Sequence, residues 1–187
     1  MRIKIFTKFG VSIALAFFLV TMAGCGVIRI GGGSFGYDLK GAQIDPKCKT
    51  AFVDYFKNQA SLVQPLLAQK LTDKLKDKIL SQTSLKLTNN TTADISFQGS
   101  IESYSTQPMA PQSGAIITAA LNRLTVTIKV KYSNAIDSKW EYETNFSRYI
   151  DYPSEKNLND IENNSTEYGD MIDKLIQDIF DKAFVNW

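Results

Sequence analysis

The chain has 187 residues, with 21 basic and 19 acidic side chains, two cysteines and no histidine. The missing histidine removes the commonest general base, the commonest zinc ligand, and the Ser–His and Cys–His arrangements of nucleophilic catalysis. The balanced charge, without a basic cluster interleaved with aromatic residues, argues against nucleic acid as a partner. No glycine-rich loop lies between a strand and a helix, so we expect neither a metal nor a cofactor.

Residues 1–24 have the three-part layout of a secretory signal peptide. Three cations, Arg2, Lys4 and Lys8, precede an uncharged, mostly apolar run over 9–22. That run is shorter than the ~20 residues a spanning helix needs, which favours a removed signal over a permanent transmembrane helix.

The residues before and at Cys25, Met-Ala-Gly-Cys, resemble a bacterial lipobox. The resemblance implies cleavage before Cys25 and a lipid on its thiol; an ordinary signal with a coincidental cysteine is the alternative. At ~0.8 kcal/mol per buried methylene, two or three acyl chains make attachment to a membrane effectively permanent.

Removal of the signal leaves 163 residues with 18 basic and 19 acidic side chains, a size typical of one domain with a real core. Five glycines over 26–36 indicate a flexible tether, so we predict a lipidated tether over 25–45 and a single domain over 46–187. Cys48 is then the only free thiol. No internal disulfide is expected, and Cys48 is interpreted as a structural residue.

The domain begins with a predicted strand and a predicted helix. Residues 50–56, Thr-Ala-Phe-Val-Asp-Tyr-Phe, are rich in β-branched and aromatic side chains and predict the first core strand. Pro65 suits the first turn of a helix, and apolar residues recur every four positions from Leu67 to Ile79. An amphipathic helix over 65–81 follows, with its lysine-rich side interpreted as a solvated face.

The middle of the chain changes to a period of two, which is typical of a sheet buried on one face. The apolar members of the three alternating segments are Ile95, Phe97, Ile101, then Leu124, Val126, Ile128, Val130, Tyr132, then Trp140, Tyr142, Phe146 and Ile150. Residues 133–139 are short enough for a hairpin. Residues 105–120 form a long, weakly patterned connection, and loops of that length are uncommon unless they are functional or mobile.

An apolar stripe from Ile172 to Phe184 predicts a C-terminal helix, whose acidic start around Asp160 and Glu162 suits the helix dipole. The element order is strand, helix, three or four strands, helix. Each helix and the sheet have one apolar face. The predicted fold is therefore α+β, a two-layer sandwich with two helices on one face of a mostly antiparallel sheet of about four strands.

The carboxylate pairs, Asp151 with Glu155 and Asp160 with Glu162, are interpreted as solvated charges, so we do not predict an enzyme. Catalysis by Asp or Glu needs no histidine, so an enzyme of that kind stays open as an alternative.

Surface recognition fits the sequence better. The polar side of the strand over 123–131 presents Arg123, Lys129 and Lys131, with threonines between them, toward anionic groups or the polar wall of a larger protein. The alternative is a solvated face whose lysines prevent the strand from pairing with another chain.

Four segments resemble LptE-like lipoproteins. They are YFKNQASLVQP over 55–65, AALNRLTV over 119–126, FSRYIDY over 146–152 and IFDKAFVNW over 179–187. The likeness spans nearly the whole mature chain, in the same order and with similar spacing, and includes no catalytic signature. It implies two helices against a mostly four-stranded sheet, in agreement with the fold predicted from the patterns.

The resemblance also implies a function. The lipoprotein would lie at the inner leaflet of the outer membrane, face the periplasm, plug a large β-barrel partner, LptD, help that barrel assemble and help deliver lipopolysaccharide. Gly26 after the lipidated cysteine is not the aspartate that commonly retains such proteins at the inner membrane. An outer-membrane address is therefore favoured.

On this hypothesis the candidate lipopolysaccharide or partner contacts are Arg123, Lys129 and Lys131, and the candidate barrel contacts are Pro108, Met109 and Pro111. An accessory lipoprotein of another envelope transport or secretion complex, with the same sandwich fold, is the rival hypothesis.

Overall fold

The computed structural model describes residues 44–62, 64–109 and 120–185, and the predictions for the signal, Cys25, the tether and Pro111 lie outside these residues. In chain order the elements are β1 (Thr50–Val53), β2 (Lys57–Asn58), α1 (Leu67–Gln82), β3 (Lys86–Leu87), β4 (Ile95–Met109), β5 (Leu121–Asn134), a 3-10 turn (Ser138–Trp140), β6 (Tyr142–Pro153), α2 (Leu158–Asn164) and α3 (Thr166–Phe184). The predicted first helix is confirmed. None of the described helices is long and apolar enough to cross a membrane.

The six strands form one mixed sheet in the order β3-β1-β4-β5-β6, with β2 also paired to β4. The three long strands, β4, β5 and β6, are antiparallel neighbours. The short strands β1 and β2 run parallel to β4, and β1 runs parallel to β3. The α+β class and the antiparallel part are as predicted, but the estimate of about four strands is too low. Two-residue strands are too short to show an alternation in sequence.

Residues 50–56 do not form one strand, because β1 ends at Val53. The chain turns there so that the ring of Phe56, which is wholly buried, lies over Gly99 of β4. An ideal Cβ at Gly99 would lie 2.3 Å from Phe56 Cε1, so the space that a side chain would occupy is filled by the ring.

The predicted connection over 105–120 is shorter than expected, because Ser105–Met109 belong to β4 and pair with Leu121–Thr125. A register shift between Ile101 and Ser103 places a bulge at Glu102, which turns Tyr104 into the core and breaks the alternation. Pro108 is tolerated because, among the described residues, this end of β4 pairs with β5 alone.

The helices cover one face of the sheet. The inward residues of β5 (Leu124, Val126, Ile128, Val130 and Tyr132) and of α1 (Leu67, Leu71, Leu75 and Ile79) are all buried in one cluster with those of α3. The predicted core of both elements is confirmed. Full burial of each such side chain stabilises the fold by roughly 1.5–3 kcal/mol.

The predicted C-terminal helix is two helices that meet at Ser165. The Ser165 N–H donates to the Ile161 carbonyl at the end of α2, and the Ser165 Oγ accepts from the Tyr168 N–H, 3.1 Å away, at the start of α3. One serine therefore ends the first helix and caps the second.

Trp140 lies in the 3-10 turn before β6 and is 44 % exposed, so its prediction as an inward strand residue is wrong. The hairpin between β5 and β6 spans residues 135–141 rather than 133–139. Trp140 falls in phase with Tyr142 and Phe146 by coincidence, because the chain turns just before the strand begins.

Candidate functional site: the open face of the sheet

We use the name open face for the side of β4, β5 and β6 that is opposite the helices. The β5 side chains between the buried ones point to it, and the three predicted cations, Arg123, Lys129 and Lys131, lie there together. At ~3.4 Å per residue, Arg123 and Lys131 are about 27 Å apart along the strand. The prediction that the three cations share one face is confirmed, while their role in binding stays a prediction.

Arg123 is held in place by β6. Its Nε lies 2.7 Å from Asp151 Oδ1 and its Nη2 lies 2.8 Å from Asp151 Oδ2, a bidentate pair. The guanidinium also lies 3.8 Å above the ring of Tyr149. The hydrogen bonds to Asp151 raise the pKa of Arg123, and those from Arg123 lower the pKa of Asp151. Asp151 is thus an ion-pair partner and not the solvated charge expected beside Glu155.

Lys129 also has a partner on β6, since its Nζ lies 2.9 Å from Glu143 Oε1. This contact raises the pKa of Lys129 and lowers the pKa of Glu143. Between the two ion pairs, the hydroxyls of Thr127 and Ser147 are 3.0 Å apart. Lys131 makes no ion pair with any residue of the described part of the chain, which makes it the most available cation of the three.

The open face has a shallow depression of about 330 Å³ near its β2 side. Its charged lining residues are Lys57, Lys129, Lys131, Asp54, Glu102 and Glu143. Cations and carboxylates are balanced there, so this region is a nearly neutral, hydrogen-bonding surface rather than a basic patch. An anionic group can bind there most directly at Lys57 or Lys131, which make no ion pair in the described part of the chain.

Sequence reasoning missed a buried carboxylate. Glu162 was expected at a solvated helix start, but it is only 9 % exposed. The Tyr104 hydroxyl donates to its Oε1, and the Gln64 Nε2 donates to its Oε2 at 3.3 Å. Burial, followed by the hydrogen bond to Glu162, raises the pKa of Tyr104. The cluster ties α2 to β4 and to the residues before α1, which is a structural role that only the tertiary packing reveals.

The remaining predicted residues are dispersed. Pro108 is exposed and Met109 half-buried at the end of β4, so they are strand residues and not loop residues as predicted. The Cys48 thiol is buried and faces Asn134 Oδ1 at 3.8 Å, and its burial raises its pKa, which fits a structural residue. In the described ranges, no three His, Cys, Asp or Glu residues are grouped so as to hold a metal ion.

The fold is a two-layer α+β domain in which the helices cover one face of the sheet and the open face is polar. The family model for LptE, described as lipopolysaccharide-assembly, matches residues 48–183. The chain belongs to the LptE family, and the resemblance carried by the four segments is confirmed. Membership indicates an envelope lipoprotein family with a role in lipopolysaccharide assembly. No match is found among curated protein sequences.

Several solved structures are similar to this chain at low identity. The hypothetical protein CT253 from Chlamydia trachomatis has a TM-score of 0.46 and 12 % identity, over 71 % of this chain and 93 % of that chain. A minor lipoprotein from Acinetobacter baumannii has a TM-score of 0.42 and 14 % identity, over 71 % and 89 %. Uncharacterized lipoprotein B from Nitrosomonas europaea has a TM-score of 0.43 and 14 % identity, over 71 % and 80 %.

Proposed function

We propose that this protein is an outer-membrane lipoprotein, lipidated at Cys25 and facing the periplasm, that plugs a large LptD-like β-barrel. In this role it assists assembly of the barrel and helps deliver lipopolysaccharide to the cell surface. The observation that carries the proposal is the match of the LptE family model over residues 48–183.

The open face supports the proposal physically. A plug inside a barrel meets a polar, hydrated wall, and the open face offers hydroxyls, amides and neutralised ion pairs rather than an apolar surface. Pro108 and Met109 lie at the far end of β4, where β5 is the one paired strand among the described residues, and the chain continues from there toward β5. The connection between β4 and β5 is the part proposed to contact the inside of the barrel.

The first experiment is purification of a tagged copy from detergent-solubilised outer membranes, with mass spectrometry of stoichiometric partners. One large β-barrel at about one to one is expected. Recovery of a periplasmic or inner-membrane machine in its place would refute the plug. Depletion of the protein should also make cells permeable to large antibiotics, because lipopolysaccharide would no longer reach the surface.

A second experiment tests the connection between β4 and β5. Replacement of residues 110–120 by Asn-Gly leaves Met109 paired with Leu121 and closes the hairpin with a tight two-residue turn. Lower recovery of the barrel, at unchanged thermal stability, is expected. The matched control shortens the β3–β4 connection within the exposed residues 89–92 and should leave barrel recovery unchanged. Equal recovery in both variants would make the β4–β5 connection a mere linker.

A third experiment tests the cations with labelled lipopolysaccharide. Lys131→Glu is expected to weaken binding by roughly two- to five-fold, the usual range for one exposed charge. Lys76→Glu on α1, in the helix layer, is the charge-matched control and should not change binding. The swap of Arg123→Asp with Asp151→Arg keeps both the net charge and the ion pair. Weaker binding in the swap would therefore indicate a direct contact with Arg123, whereas unchanged binding would indicate that only the overall charge matters. Unchanged binding in Lys131→Glu would refute the assignment of this strand.

A further inference from the structure

The hairpin between β5 and β6 presents two large apolar side chains to solvent. Ile136 is 42 % exposed and Trp140 is 44 % exposed, although the core of the domain lies directly beside them. Lys139, between them in sequence, holds its Nζ 5.4 Å from the centroid of the Trp140 ring. We use the name hairpin patch for Ile136, Lys139 and Trp140.

The hairpin patch is rigid rather than a loose tip. Asn134 Oδ1 accepts from the N–H groups of Ile136 and Asp137, at 2.9 and 3.1 Å. Asp137 Oδ1 then accepts from the Lys139 N–H at 3.1 Å and starts the 3-10 turn. The Ala135 N–H donates to the Asp94 carbonyl and ties the hairpin to the start of β4. These bonds fix Ile136 and Trp140 outward, so their exposure is a built feature of the fold.

The chain that leads to Cys25 enters the domain at the same end. Ile44 and Asp45 line a small hollow of about 60 Å³ together with Trp140, so the first described residue lies beside the hairpin patch. Only 18 residues separate Cys25 from Ile44, a stretch that spans at most about 65 Å even when fully extended. A lipid on Cys25 would therefore tether the domain through Ile44, the residue beside the hairpin patch.

We propose that the hairpin patch docks on the phospholipid headgroup interface and fixes the orientation of the domain on the membrane. Trp is enriched at bilayer interfaces because its ring is mostly apolar while its N–H can still reach water, and Lys can extend its ammonium to the headgroups. The inference rests on the proposed lipidation of Cys25. A second copy of the chain is a poorer occupant, since two half-exposed side chains fall far short of the ~800 Å² per partner of a stable interface.

The charged residues around the hairpin patch predict which lipid headgroups it can bind. Asp137 and Glu141 flank Lys139 in sequence, and Asp45 and Lys47 follow Ile44, so the neighbouring charges nearly cancel. The docking should therefore depend on apolar insertion rather than on anionic lipids. Binding to zwitterionic vesicles should be insensitive to salt.

The test uses the full-length lipidated protein, with acyl chains on Cys25 confirmed by mass spectrometry, reconstituted into phosphatidylcholine–phosphatidylethanolamine vesicles. The chain has two tryptophans, so Trp187→Phe leaves Trp140 as the only indole. We expect a blue shift of its emission on vesicles, quenching by lipids brominated near the headgroups, and loss of the shift in Ile136→Asp. The matched control is Tyr149→Trp with Trp140→Phe and Trp187→Phe, because Tyr149 is 56 % exposed but lies on the open face. It should show no shift.

The outcomes separate this inference from the proposed function. A lipidated protein whose Trp140 emits as in water, at any salt concentration, would overturn the inference alone. An equal shift in the Tyr149→Trp control would overturn it as well, because the domain would then lie on the membrane without a specific face. A shift that grows with protein concentration in the absence of vesicles would show a second copy on the patch and would also overturn it. Absence of acyl chains on Cys25 would refute the proposed function together with the inference.

Discussion

Gly99 is required by the packing of Phe56, and Gly99→Ala tests this directly. The added Cβ would lie 2.3, 2.5 and 2.6 Å from three ring carbons of Phe56, whereas carbon atoms in contact are normally about 3.5–4.0 Å apart. The ring has to move by about 1 Å or more. It is wholly buried, so it cannot move into solvent.

The backbone cannot relieve the clash either, because β4 is paired on both sides near Gly99, with β2 at Ser100 and with Val130 of β5. Overpacking of a core costs about 1–3 kcal/mol of the free energy of unfolding. For a domain of this size, each kcal/mol lowers Tm by roughly 3–5 °C, so we expect Tm to fall by about 3–15 °C.

The assay is thermal unfolding followed by circular dichroism, with urea unfolding for the free energy. Gly169→Ala in α3 is the matched control, since no atom lies within 4 Å of an added Cβ, and it should raise stability by about 0.5–1 kcal/mol. Phe56→Leu removes the ring atoms that clash, so its cost and that of Gly99→Ala should be less than additive. A Gly99→Ala protein as stable as the parent would show that the ring has space to spare and would refute the reasoning.

Three further predictions concern polar contacts. Backbone and hydroxyl donors of Lys49 and Thr50 lower the pKa of Asp94. Asp94 therefore stabilises the fold above about pH 3.9, and this effect is lost as the pH falls through the lowered pKa. Urea unfolding should show that Asp94→Asn is less stable than the parent at pH 7, and that the difference in the free energy of unfolding disappears in acid. Glu162→Ala should cost about 1–3 kcal/mol in the same assay, because the buried Tyr104 hydroxyl loses its acceptor, and Glu162→Gln should cost less. Ser165→Ala should cost about 1 kcal/mol through the lost cap of α3, measured by thermal unfolding.

The fold class follows from periodicity where an element is long enough to display it. The alternation of β5 from Leu124 to Tyr132 and the four-residue spacing of α1 both predicted the buried residues correctly. The errors lie where local chemistry interrupts the period. The bulge at Glu102 interrupts the alternation, so the second half of β4 was predicted as a loop. Ser165 ends one helix and caps the next, so two helices were predicted as one.

The candidate site was predicted as a face but not as a set of contacts. That Arg123, Lys129 and Lys131 share a side follows from the alternation alone. Their partners depend on the register of β6, in which Arg123 lies opposite Asp151 and Lys131 opposite Glu143, and no local pattern encodes that register. The exposure of Trp140 was missed for a different reason, because the turn fixed by Asn134 lies before β6 begins and Trp140 is in phase with that strand by coincidence.

The register also makes the three cations unequal. An anionic group that approaches Arg123 competes with a bidentate carboxylate and the ring of Tyr149, while at Lys129 it competes with a single contact to Glu143. At Lys131 it displaces no ion pair in the described part of the chain. Because the pairs neutralise the face in place, the sheet has little long-range field with which to retain a polyanion. If lipopolysaccharide binds here, as proposed, it is held by short-range contacts along one strand, starting at Lys131, and can be released again.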